Sequence, residues 1–225
     1  MSDGRLDALL TGLDRRARRP PTVRPTTTGS VLVVSCSMAQ CAYDTSLWPL
    51  DPSRDVAPVT TLGNQAWDDH DGELVVSGTV AHLAAEREPM AVVVVGHTAC
   101  TVVADAYERY VAPGEATAAG TEARLDPLVS LVEDAVDAGF VDPSLPLRSA
   151  RHRFAEYNVV RQVQFLTREL RPSVPVVGHI HDQDGAYRSF PEKHYLVTVD
   201  GVTEGDALRA RLPDDGSAPI ASLLH

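Results

Sequence analysis

Two short runs of β-branched and apolar residues, Val31-Leu32-Val33-Val34-Ser35 and Ala91-Val92-Val93-Val94-Val95, constrain the fold of this chain more than any other feature. Neither run alternates with polar residues, so both faces of each segment need cover, as in a strand inside a parallel sheet. Val174–Ile180 reads as a third strand of this kind, Ala57–Thr61 as a further strand, and Tyr195–Val199 as an edge strand. Helical periodicity runs through 73–87, from Thr101 to about Val111, through 122–138 up to Gly139, and through 151–170 before Pro172. Buried strands alternating with helices specify an α/β fold with a mainly parallel central sheet flanked by helices.

The N-terminal region is set apart. Leu6, Leu9, Leu10 and Leu13 recur at helical spacing over 5–19, and a Pro- and Thr-rich connector follows at 20–30. Residues 1–29 therefore read as a helical arm and linker, and residues 30–225 as one domain. The arm's leucine stripe needs a surface to cover, which a second copy of the chain can supply. Arg15, Arg16, Arg18 and Arg19 read as a solvated helix end or an arm touching a partner subunit, rather than a nucleic-acid patch.

Composition excludes several classes of function. The formal net charge is −11, opposite in sign to what nonspecific nucleic-acid binding needs. There is no apolar run long enough to span a membrane, and the first twenty residues lack the apolar core of a secretory signal. The expected location is cytoplasmic. Lys193 is the sole lysine among many arginines and aspartates, a composition that suits a GC-rich, salt-adapted source.

In a parallel sheet, functional groups gather just beyond the carboxyl ends of the strands. Cys36 follows the first run, and Gly96-His97-Thr98-Ala99-Cys100 follows the second. Each residue alone reads as a buried small side chain or a core histidine. Together they form a Cys2His set, which zinc favours, and three protein ligands leave one tetrahedral position open. Gly96 reads as the residue that lets the backbone turn before His97. Cys41 is a candidate fourth ligand, because Cys36-x4-Cys41 has zinc-ligand spacing and Cys3His is a structural set. Three cysteines are otherwise an odd number, unsuited to a disulfide framework. A phosphatase-type loop would need arginine at Ala42, and neither a nucleophile-elbow nor a P-loop motif is present. His179 and His181 form an H-x-H pair, which we read as structural.

These segments resemble the β-class carbonic anhydrases, whose signature is Cys-x-Asp-x-Arg after the first strand and Gly-His-x-x-Cys about sixty residues later. Cys36 and His97 are 61 positions apart, and 96–100 match the second half in full. Glu156-Tyr157-Asn158-Val159-Val160-Arg161-Gln162-Val163 resembles the family's later helix. Gly178-His179-Ile180-His181-Asp182 resembles its strand-end Gly-Trp-Val-Tyr-Asp. The resemblance implies one zinc held by Cys36, His97 and Cys100, reversible hydration of CO2 to bicarbonate by hydroxide on that zinc, and a homodimer or a multiple of dimers.

One departure bears on activity. The family's Asp, which orients the hydroxide, and the Arg that pairs with it correspond to Met38 and Gln40. A thioether offers no carboxylate and Gln40 no charge. The expectation is therefore a zinc protein with weak or absent CO2 hydration, Asp44 and Gln40 being the nearest polar residues. The alternatives are a closed structural or anion-sensing zinc site, or action on another small electrophile.

Overall fold

The run at 31–36 forms strand β1 (Val31–Cys36), with every residue buried. The computed structural model describes residues 30–38, 56–112, 114, 118–187, 193–211 and 219–224. The chain continues through β2 (Val56–Thr61), a 3-10 turn (Leu62–Asn64), β3 (Trp67–His70), β4 (Glu73–Val76) and α1 (Gly78–Arg87). Then come β5 (Ala91–His97), α2 (Thr101–Val111), α3 (Ala119–Asp137), α4 (Leu147–Glu169), β6 (Val176–Asp182), β7 (Lys193–Val199) and α5 (Gly205–Arg209). The expected helical arm at 5–19 lies outside the described residues.

Five strands form the central sheet in the order β2-β1-β5-β6-β7. The first four run parallel, and β7 joins antiparallel to β6. Alternate residues serve opposite faces. Leu32, Val34, Cys36, Val92 and Val94 enter the main core with α2, α3 and α4, whereas Val31, Val33, Val93 and Val95 form a second cluster. That division accounts for the absence of polar alternation in the sequence. Beyond β7 the C-terminal segment makes a parallel bridge, Leu196 to Ile220, so the edge is partly covered. No helix among the described residues is long and apolar enough to cross a membrane.

The helix expected over 73–87 is a correction. Its first part is β4, paired antiparallel with β3, and only Gly78–Arg87 is helical. The local turn chemistry overrides the apolar spacing: Asp71 and Gly72 take φ of 54° and 85°, the left-handed pair that a tight hairpin needs. Ser77 then caps α1, its Oγ accepting from the Val80 amide at 3.4 Å. The other expected elements match the sequence reading within a few residues, whereas the 3-10 turn, β3 and α5 were not expected from it.

Candidate metal centre

β1 and β5 are parallel neighbours in register, with Ser35 opposite Val95, so their carboxyl ends finish at the same level. Cys36 is the last residue of β1 and His97 the last of β5. Cys100 is the N-cap of α2, three residues on. All three are buried, at 0, 3 and 4% exposure, and their ligand atoms lie within 4.8 Å of one another. The two sulfurs are 3.6 Å apart. A tetrahedral zinc with sulfur ligands at about 2.3 Å would set them about 3.8 Å apart. Among the described residues this is the one group of three such side chains placed to hold a metal.

The two cysteines share a proton unequally. The Cys100 thiol donates to the Cys36 sulfur, and this bond, helped by the amides of Met38 and Gly63, lowers Cys36 to about 4 against the opposing effect of burial. The same bond, with burial, raises Cys100, although the amides of Val102 and Val103 at the start of α2 favour its thiolate. A cation placed between the sulfurs would displace the shared proton and find two thiolates, each backed by two backbone amides. His97 completes the arrangement. Its Nδ1 lies 2.9 Å from Gln183 Oε1, and its Nε2 is buried with no hydrogen-bond partner. A buried imidazole nitrogen left unsatisfied beside two sulfurs fits a metal-binding atom.

Two supports lie outside the sequence motif. The first is an amide network from α4 to the turn after β2. Asn158 Nδ2 donates to Gly63 O at 3.0 Å, Gln162 Nε2 to Asn158 Oδ1 at 3.1 Å, and the Ala66 amide to Gln162 Oε1 at 2.8 Å. This network fixes Gly63, whose amide favours the Cys36 thiolate. The second is the segment after β6. The Thr98 hydroxyl donates to Asp182 Oδ1 at 3.3 Å and accepts from the Asp184 amide at 3.1 Å. The Ala186 and Tyr187 amides donate to the Asp182 carboxylate at 2.9 and 3.0 Å. Gln183 and Thr98 were not anticipated from the sequence. The signals for the α4 pair were present: Asn158 and Gln162 stand four apart on a helix face that is otherwise buried.

Gly96 requires a second correction. It lies inside β5, not in a turn. A Cβ there would sit 2.5 Å from Val159 Cγ2 and 2.7 Å from Ile180 Cδ1, so glycine is needed for the close approach of α4 to the sheet.

Met38 is 59% exposed, and only its amide favours the Cys36 thiolate. Gln40, Cys41 and Asp44 lie outside the described residues. His179 and His181 are not in the sulfur–imidazole group. His181 stands opposite His97 in register and stacks on His194 with ring centroids 4.6 Å apart. Burial lowers His179 to about 4, so it is neutral at physiological pH.

The sequence matches no protein-family model and no curated protein. Solved structures do match. The β-carbonic anhydrase CafA of Aspergillus fumigatus is 25% identical, with 93% of this chain and 97% of that one covered and a TM-score of 0.57. A Coccomyxa β-carbonic anhydrase in complex with acetazolamide is 17% identical, with 95% and 93% covered and a TM-score of 0.56. One of two tetrameric β-carbonic anhydrases from Sordaria macrospora is 18% identical, with 79% and 89% covered and a TM-score of 0.52. The chain has the β-carbonic anhydrase fold, and its Cys36–His97–Cys100 group fits the zinc site expected from the sequence.

Proposed function

We propose that this chain, having the β-carbonic anhydrase fold, binds one zinc ion through Cys36, His97 and Cys100, with weak or absent catalysis of reversible CO2 hydration. The observation that carries the reading is the buried Cys2His group at the ends of two adjacent parallel strands, with one histidine nitrogen unsatisfied. Bound there, zinc would lower the pKa of a coordinated water to about 7 and so supply a nucleophile for CO2. The residues of the chain do the rest. The amides of Met38 and Gly63 hold the Cys36 thiolate, those of Val102 and Val103 hold that of Cys100, and Gln183 holds the His97 ring. By the family resemblance, the carboxylate that would orient the reacting group belongs at position 38, which here carries a thioether.

Elemental analysis tests the assignment. The wild type should carry about one zinc per chain, and Cys100→Ser should lose it, its affinity dropping by more than tenfold as a ligating thiolate is removed. Full zinc retention in a folded Cys100→Ser protein would overturn the ligand set. We further propose a homodimer or a multiple of dimers, supported by the tetrameric Sordaria macrospora enzymes of the same fold. Light scattering on the full chain reads this directly, and a monomer at micromolar concentration would refute it.

A further inference from the structure

We propose that Gln183 is the positioning residue for His97, fixing its tautomer and ring orientation so that Nε2 faces the two sulfurs, and that Thr98 and Asp182 hold Gln183 for this task. The inference rests on the reading of Cys36, His97 and Cys100 as metal ligands, and it assigns a role to a residue that no sequence motif marked.

A metal-binding imidazole must present a lone pair at one nitrogen and carry its proton on the other. Gln183 Oε1 lies 2.9 Å from His97 Nδ1, and an amide oxygen can only accept. It therefore selects the tautomer with the proton on Nδ1 and leaves Nε2 as the ligand atom. His97 is 3% exposed, so bulk water is a poor substitute for this acceptor.

Gln183 has little freedom to do otherwise. Its two neighbours, Asp182 and Asp184, are both bonded to Thr98, the residue directly after His97. The Thr98 amide donates to His181 O at 3.1 Å, which ties the same turn to β6. Asp184 is held from α4 by His152 at 2.8 Å and by Arg148 at 3.1 Å. Further along, the Tyr187 hydroxyl donates to the buried Glu156 at 2.6 Å, and the same carboxylate accepts from Ser222 Oγ at 2.6 Å and the Leu223 amide at 2.7 Å. The segment from Asp182 to Tyr187 is thus anchored at both ends, with Gln183 facing the site.

The choice of an amide is informative. Two thiolates already balance the charge of a bound divalent cation. A carboxylate beside Nδ1 would add an excess negative charge in a buried place, whereas glutamine gives direction without charge.

The test uses Gln183→Leu, which removes the acceptor at similar size, and Gln183→Glu, which restores one. Zinc affinity is measured by chelator competition on the full chain, the ligand field by the absorption of the cobalt-substituted protein, and folding by circular dichroism. Gln183→Leu should bind zinc about 10–100-fold more weakly and shift the cobalt bands, and Gln183→Glu should recover most of the affinity. Nitrogen-15 NMR of the metal-free protein supplies a readout that needs no metal: the His97 proton should sit on Nδ1 in the wild type and lose that preference in Gln183→Leu. Wild-type affinity and an unchanged cobalt spectrum in Gln183→Leu would overturn the proposal while leaving the three ligands in place. A proton on Nε2 in the metal-free wild type would overturn it as well. If Cys100→Ser keeps its zinc, the ligand set itself falls, and the proposal of Gln183 as a metal-site positioner falls with it.

Discussion

The two flanks of the sulfur–imidazole group are built differently. On the β5–β6 flank, His97 is braced by Gln183, and Gln183 in turn by a web of side-chain and backbone bonds through Thr98 and Asp182. On the β1 flank, the described partners of Cys36 outside the sulfur–imidazole group are the backbone amides of Met38 and Gly63, and the Met38 side chain is more than half exposed. A metal ion needs donors held at fixed distances, which the first flank supplies with dedicated side chains. Orienting a reacting group needs a polar side chain directed at the open coordination position, and on the second flank position 38 offers none. Metal affinity and turnover should therefore respond to separate mutations.

The largest effect is expected from replacing what the β1 flank lacks. Met38→Asp combined with Gln40→Arg should raise CO2 hydration by about 10²-fold or more, because misorientation and loss of a preorganised polar partner each cost on that order. Zinc content should stay near one per chain. Stopped-flow hydration assays on both proteins decide. Fast turnover by the wild type would erase the contrast between the flanks, since another group would already be orienting the reaction. No gain in a folded, zinc-loaded double variant would point to a closed site with Cys41 as a fourth ligand.

A smaller effect tests how firmly the β6 flank is buried. His179 titrates at about 4 in the folded protein, against 6.5 for an ordinary histidine, with burial as the cause. Between these values the unfolded chain binds the proton and the folded chain does not. Stability is therefore fully present above about pH 6.5 and falls as the pH drops toward 4, by about 3 kcal/mol from this group. His179→Gln should flatten that part of the profile, as read by urea unfolding of metal-free protein at several pH values. Equal slopes for wild type and variant would mean that His179 is accessible to protons in the folded state.

How far the sequence foretold these features depended on where each signal was carried. The strand runs at 31–35 and 91–95 and the helix at 101–111 were legible because burial on two faces, or on one helical stripe, leaves its period in the residues themselves. The Cys36–His97–Cys100 group was legible because these residues sit at strand ends, where topology brings them together. The β3–β4 hairpin was not legible because the apolar residues at 74–76 fit the helical period, and the Asp71-Gly72 turn that overrides it spans only two residues. Gly96 was recognised, but its reason was misread, because the approach of α4 is a tertiary fact that no local pattern encodes. Gln183 was invisible for the same reason: its partner His97 is 86 residues away.

The smallest effect concerns the support behind Cys36. Asn158 links α4 to the turn at Gly63, donating to Gly63 O and accepting from Gln162 Nε2. Asn158→Ala would leave a buried carbonyl and a buried amide without these partners, at a cost of about 1–3 kcal/mol. Because Asn158 does not touch the sulfurs, its loss can reach the metal only through the position of the Gly63 amide. Zinc affinity should then fall by about tenfold or less, well below the change expected for Gln183→Leu. Comparing the two variants by thermal unfolding and chelator competition separates the flanks: Asn158→Ala should lose mainly stability, and Gln183→Leu mainly affinity. If Asn158→Ala lost more affinity than Gln183→Leu at equal folding, the amides behind Cys36 would be the stronger support, and the contrast between a braced histidine flank and a lightly held cysteine flank would have to be reversed.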